Sequence, residues 1–149
     1  ALRAVAELAA WPFLQACGRV LADAVPAAWP HGHCPVCGAW PALAELRGLE
    51  RARRLRCARC GADWPIPALR CPFCSESHHE RLGALLPDGE GRRWRVETCE
   101  GCRGYVKCVT TLEAVPSWAV ILEDLKTVEL DLVALERGYA RPGRPGGGA

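Results

Sequence analysis

HGHCPVCGAW, residues 31–40, sets two cysteines three apart, with a proline between them and a glycine behind. A Cys-Pro-Val-Cys of this kind is a redox dithiol, half of a metal site, or two members of a disulfide framework. The tetrapeptide alone does not separate the three. The chain has 149 residues and ten cysteines, and eight of these fall into four pairs of the same spacing: Cys34/Cys37, Cys57/Cys60, Cys71/Cys74 and Cys99/Cys102. Cys17 and Cys108 stand alone.

Nineteen residues lie between the first and second pairs, inside the spacing of four-cysteine metal sites, and 24 between the third and fourth. Two cysteines three apart in a turn present both sulfurs to one ion, and the turn's backbone N–H groups can donate to those sulfurs. Two such knuckles face to face complete a tetrahedron. Gly38 and Gly61 follow the second cysteine of a pair, where the turn often needs left-handed backbone. A disulfide framework needs an oxidising compartment, and nothing here indicates secretion. A redox dithiol occurs once, at a strand-to-helix junction, rather than four times. Metal binding by four thiolates is therefore the reading for all eight cysteines. Sequential pairing gives two independent rubredoxin-like, zinc-ribbon-like modules, and interleaved pairing gives one cross-braced module. Tetrahedral four-sulfur coordination suits zinc and iron alike.

Around this cysteine-rich part the pattern is helical. Residues 1–30 carry apolar residues at helical spacing, and Pro12, which suits a first helical turn, predicts two helices meeting near Trp11. The sequence begins at Ala1 inside this pattern and contains no methionine, which reads as a piece of a longer protein. Residues 31–68 and 69–115 read as two repeats of knuckle, hairpin, knuckle. In RRWRVETC, residues 92–99, Trp94, Val96 and Thr98 point one way and Arg93, Arg95 and Glu97 the other. PDGEG, residues 87–91, is a turn signal between two strands. Residues 116–140 return to helix, with Ser117 or Thr127 as N-caps and Gly138 as C-cap, and residues 141–149 read as a disordered tail. The fold class is a small, metal-bound α+β protein: two four-cysteine modules flanked by helices at both ends.

The other candidate residues read more plainly. Cys17 lies on an apolar helical face and packs as a small hydrophobe, and Cys108 follows a strand; both read as inert. His31, His33, His78 and His79 read as exposed loop residues beside knuckles that are already complete. Arg47, Arg51, Arg53, Arg54, Arg56 and Arg59 form the densest basic stretch, with Glu45 and Glu50 nearby. No aromatic residues are interleaved with them for base stacking, so they read as charge compensation for thiolates on a solvated strand rather than as a phosphate-binding face. The formal charge of +2 falls to about −2 once two four-thiolate sites each hold a divalent ion. No apolar run approaches the roughly 18 residues of a membrane span. There is no Gly-rich phosphate loop, no Ser/His/Asp pattern, and no metal site with an open position, so the chain does not read as an enzyme.

The order CPVCG, RRLRCARC, Trp64, Arg70 before CPFC, and TCEGCRGYVK resembles formate dehydrogenase accessory proteins of the FdhE type. The closing stretch is similar too, with Asp124-Leu125, Leu130-Asp131, Ala134 and Gly138-Tyr139-Ala140-Arg141. The resemblance implies a cytoplasmic assembly factor that binds the catalytic subunit of a respiratory formate dehydrogenase during its maturation, before twin-arginine export. It carries two metal ions, zinc or iron, on Cys34, Cys37, Cys57, Cys60, Cys71, Cys74, Cys99 and Cys102. Tyr105, Lys107 and the arginine-bearing strands are candidate partner contacts. Two other readings compete: a nucleic-acid-binding zinc ribbon protein, and an iron rubredoxin-like electron-transfer protein.

Overall fold

In the computed structural model, which describes residues 2–87 and 93–143, each repeat contributes three strands. The first supplies β1 (Leu43–Arg47), β2 (Ala52–Arg56) and β3 (Asp63–Pro65), and the second β4 (Leu82–Leu85), β5 (Trp94–Cys99) and β6 (Tyr105–Thr111). Within each repeat the neighbouring strands are antiparallel. Between repeats, β1 runs parallel to β6, from Leu43 opposite Lys107 to Arg47 opposite Thr111. The result is one six-stranded sheet in the order β3-β2-β1-β6-β5-β4. The two modules expected to be independent are thus fused. The reason is physical: a three-stranded unit of this size cannot bury much on its own, and its edge exposes unpaired N–H and C=O groups. Fusion makes β1 and β6 central, and four of the five residues of β1 are buried. The connection read as a turn at 87–91 lies largely outside the described residues.

Alternation along β6 divides the molecule into layers. Val106 and Cys108 face a core with Ala44, Leu46, Leu55, Cys57 and Trp64, closed by Leu14, Val25 and Trp29 of the N-terminal segment. Tyr105 and Val109 face the opposite side, where Val96, Leu130, Ala134 and Tyr139 form one cluster and Leu43, Val115 and Val120 another. The sheet is therefore covered on one face by N-terminal residues and on the other by the C-terminal helices.

The N-terminal helix α1 (Leu2–Val20) runs straight through Pro12, contrary to the expected two segments. Proline removes one N–H and crowds the carbonyl four residues earlier, that of Leu8. Leu8 sits at an exposed position, where water can satisfy that carbonyl while the rest of the ladder holds. At the C-terminal end, α2 (Val120–Lys126) and α3 (Val128–Glu136) flank Thr127. Thr127 does not cap α3 with its side chain; its hydroxyl donates back to the carbonyl of Glu123 at 2.9 Å. Ser117 opens a 3-10 turn and makes no capping bond either. Gly138 is the C-terminal stop as expected. It holds φ +78°, its N–H donates to the Leu135 carbonyl at 2.9 Å, and the Tyr139 N–H donates to that of Ala134 at 3.0 Å.

Candidate metal centres

The four knuckles are built alike. The N–H of each leading cysteine donates to the carbonyl five residues on: Cys34 to Ala39 and Cys71 to Glu76 at 2.8 Å, Cys57 to Ala62 and Cys99 to Gly104 at 3.0 Å. The residue behind each second cysteine is left-handed: Gly38 (φ +69°), Gly61 (+72°), Ser75 (+64°) and Arg103 (+55°). This turn points backbone N–H groups at sulfur. The amides of Ala39, Ala62, Glu76 and Gly104 donate to Cys37, Cys60, Cys74 and Cys102 and favour their ionised forms.

The sulfurs converge in two sets, Cys34/Cys37/Cys57/Cys60 and Cys71/Cys74/Cys99/Cys102, each with its four atoms within 4.8 Å of one another. Pairing is sequential, and the interleaved alternative is not formed. In the first set Cys34 lies 3.5 Å from Cys60 and Cys37 lies 3.4 Å from Cys57; in the second both corresponding separations are 3.7 Å. A tetrahedron with metal–sulfur bonds of about 2.3 Å has edges of about 3.8 Å. A disulfide requires about 2.05 Å, and all ten thiols are free. Each set could hold one metal ion. The crowded thiols are driven apart in acidity: hydrogen bonds to Cys34, Cys37 and Cys60 push Cys57 far up, and burial pushes Cys102 up to about 11. Cys37, hydrogen-bonded to Cys34, Cys57 and Cys60, is pulled far below the ordinary thiol range. A divalent cation held by the four sulfurs of a set would favour the ionised form of all of them.

The two sets differ in cover. Cys34, Cys57 and Cys60 are buried and Cys37 is half-buried, whereas Cys74 and Cys102 in the second set are exposed. Helix α1 leans so closely on the first knuckles that a Cβ on Gly18 would fall 1.8 Å from the Cys60 carbonyl oxygen. A line of aromatic contacts, Trp29 to His33, His33 to Trp40 and Trp40 to Phe73, runs from the first set to the third knuckle, with centroids 5.5–6.2 Å apart. His33 belongs to this line and is half-buried, while His31, His78 and His79 are exposed as expected.

Several other candidates stand corrected. The arginine stretch is solvated only in part: Arg51 and Arg59 are exposed as expected, while the other four are engaged by carboxylates. Arg53 meets Glu97 at 2.6 Å, Arg54 meets Asp63 at 2.8 Å, and Arg56 and Arg47 both grip the fully buried Glu45. Arg53 and Glu97 come from different repeats, and they meet across the face that carries the small residues Ala44 and Cys108. Tyr105 and Lys107 are not surface contacts, being 3% and 0% exposed. The Lys107 ammonium lies 2.7 Å from Asp131 and 2.9 Å from Asp124, and the Tyr105 hydroxyl donates to Asp131 at 2.7 Å. Arg141, read as part of a disordered tail, closes this cluster on Asp124 and Asp131, while residues 144–149 lie outside the described residues. Cys17 is exposed rather than packed, and Cys108 is a buried residue within β6, its thiol raised to about 12 chiefly by burial. Sequence reading named Glu45 and Glu97 but missed their roles as ion-pair partners of Arg56 and Arg53. For Glu45 the available signal was register, since its strand is one hairpin away from that of Arg56; for Glu97 there was none, because Arg53 lies in the other repeat.

Comparison with known proteins decides the kinship. The family model described as "FdhE, C-terminal domain" matches residues 69–145, just over half of the chain. The chain belongs to the FdhE family. A protein named FdhE homolog from Aquifex aeolicus is 32% identical over 119 residues, covering 76% of this chain and 40% of that protein. An FdhE homolog from Haemophilus influenzae is 32% identical over 113 residues, covering 74% and 36%. The crystal structure of the FdhE protein from Pseudomonas aeruginosa superposes with a TM-score of 0.63 at 30% identity, covering 78% of this chain and 43% of that one. The chain spans about two-fifths of the length of these FdhE relatives. Among the described residues, no helix is long and apolar enough to cross a membrane.

Proposed function

We propose that this chain is the metal-binding part of a cytoplasmic formate dehydrogenase accessory protein, one that binds the enzyme's catalytic subunit and supports its maturation. The observation that carries the reading is membership of the FdhE family together with two complete four-sulfur clusters. Cys34, Cys37, Cys57 and Cys60 would hold one ion and Cys71, Cys74, Cys99 and Cys102 a second, either zinc or iron. When bound, zinc supplies structural closure, and iron adds a one-electron couple. Four thiolates leave no open coordination position for a substrate, which favours a scaffold over an enzyme. The nucleic-acid reading loses its main support, because Arg47, Arg53, Arg54 and Arg56 are engaged by Glu45, Asp63 and Glu97. The chain's own residues set both knuckle pairs on one six-stranded sheet, a suitable platform for a protein partner.

The test is an anaerobic affinity pull-down from nuclease-treated native lysate, with partners identified by mass spectrometry. Recovery of a formate dehydrogenase catalytic subunit is the expected result. Binding that appears only when nuclease is omitted would move the function to nucleic acid.

A further inference from the structure

The repeats place the same knuckle in four settings, and the settings are unequal in two independent ways. The first is access. Cys74 and Cys102, one from each knuckle of the second set, are solvent-exposed, while in the first set Cys34, Cys57 and Cys60 are buried and Cys37 is half-buried. Two layers cover that first set. On one side Gly18 of α1 abuts the Cys60 carbonyl, and beside it Gly61 sits against Ser117 and Gln15, where an added Cβ would come within 2.6 Å of the Ser117 side chain. The second set has one such contact, Gly32 against the Pro72 carbonyl of its first knuckle at 1.6 Å from an added Cβ, and it still leaves Cys74 and Cys102 exposed.

The second difference lies in the backbone. Every knuckle needs left-handed φ behind its second cysteine. The first set places Gly38 and Gly61 there, for which that conformation carries no steric penalty. The second set places Ser75 (φ +64°) and Arg103 (φ +55°), side-chain-bearing residues for which it is strained. A bound ion would hold those turns in place. Once one sulfur lets go, the strain favours opening, and water or a competing ligand already has access to the site. In the first set neither condition is met.

We propose that the two clusters are functionally distinct: the first is a closed structural site, and the second is an exchange site for a thiophilic divalent ion, which enters and leaves through Cys74 and Cys102. Exchange is ligand substitution with no change of oxidation state. An incoming thiolate or chelator nitrogen forms a bond to the ion as a cysteine thiolate releases it, and the freed thiolate takes a proton from water. This inference rests on the reading that both clusters bind metal.

The experiment loads the full chain with zinc, confirms the stoichiometry by elemental analysis, and then follows release to excess EDTA through a chromogenic zinc indicator. In parallel, iodoacetamide alkylation is mapped by peptide mass spectrometry. One equivalent should leave at least tenfold faster than the other, with Cys74 and Cys102 alkylated ahead of all the other ligand cysteines. Ser75→Gly should slow the fast phase roughly fivefold by relieving the strained turn, and should leave the slow phase unchanged. Fewer than two zinc ions per chain at saturation would sink the metal assignment itself. Full stoichiometry with a single release rate, or with Cys34 and Cys37 alkylated as early as Cys74, would leave that assignment standing and overturn the exchange-site proposal.

Discussion

The ion pair between Arg53 and Glu97 joins the two repeats, and replacing Glu97 with glutamine tests how much that junction contributes. Arg53 donates to the Glu97 carboxylate through Nε at 3.0 Å and Nη2 at 2.6 Å, and Arg95 donates through Nε at 3.1 Å. The Arg53 side chain is 3% exposed and that of Glu97 15%, so the pair lies largely out of water. Removing one member of a buried pair costs about 3–5 kcal/mol, because the remaining charge is stranded. Here Arg53 keeps two neutral acceptors, the carbonyls of Pro67 at 3.1 Å and Arg70 at 3.0 Å, and Glu97 is not fully dry. Both facts place Glu97→Gln at the lower end, about 3 kcal/mol. Against a typical domain stability of about 5–15 kcal/mol, that is a large fraction.

The assay is urea unfolding at a fixed saturating metal concentration, so that metal linkage is the same for each variant. With a slope of about 2 kcal/mol/M, the midpoint should fall by about 1.5 M. A double-mutant cycle separates the pair from its surroundings. If stranded charge is the cause, Arg53→Met/Glu97→Gln should be no less stable than Glu97→Gln alone. A loss under about 1 kcal/mol, or strictly additive losses in the double variant, would refute the claim that a desolvated ion pair joins the repeats.

Lys107→Met should cost about 3–5 kcal/mol, since the fully buried ammonium is the charge shared by Asp124 and Asp131; thermal and urea melts read this directly. Burial alone would raise the Asp131 carboxyl, but Lys107, Tyr105 and Arg141 outweigh it and hold it below the usual aspartate range. Its contribution is therefore present above the unfolded value of about 3.9 and is lost as pH falls through the lower folded value. The stability gap between the native chain and Asp131→Asn should shrink as pH is lowered below about 4, while metal loss, common to both, cancels. Gly18→Ala should lift α1 from the first cluster, because the new Cβ would sit 1.8 Å from the Cys60 carbonyl oxygen. Hydrogen exchange in α1 should then accelerate; unchanged protection would mean that the helix does not depend on that contact.

Local chemistry was legible in the sequence, and partnership at a distance was not. The eight cysteines and the left-handed turns at Gly38 and Gly61 follow from spacing, because a knuckle is a short-range object, whereas the choice of sequential over interleaved grouping came only with the structure. The alternation of Val96 and Thr98 against Arg95 and Glu97 was legible for the same reason. The parallel pairing of β1 with β6 was not, since residues 64 positions apart, such as Leu43 and Lys107, carry no local mark of their register. The misreading of Arg53 and Glu97 follows from that omission, while Glu45 with Arg56 and Asp63 with Arg54 pair inside the first repeat. On a free hairpin, Arg53, Arg56, Glu45 and Lys107 would face water; in a fused sheet they are interior and must find partners.

That dependence also explains why a protein with so small an apolar core keeps so many buried charges. The sheet is held at three levels: backbone hydrogen bonds close each knuckle, β1 and β6 join the repeats through backbone, and Glu97 with Arg53 spans the junction. A hydrophobic pair at the junction would stabilise it without fixing its register. An arginine and a glutamate satisfy each other only when the strands sit in one alignment, and slippage by one residue turns both to the wrong face. The charges therefore specify the pairing that backbone bonds alone leave open, and the double-mutant cycle distinguishes the two roles. A double variant that regains stability but loses a single defined set of amide resonances would assign the ion pair to alignment rather than to strength.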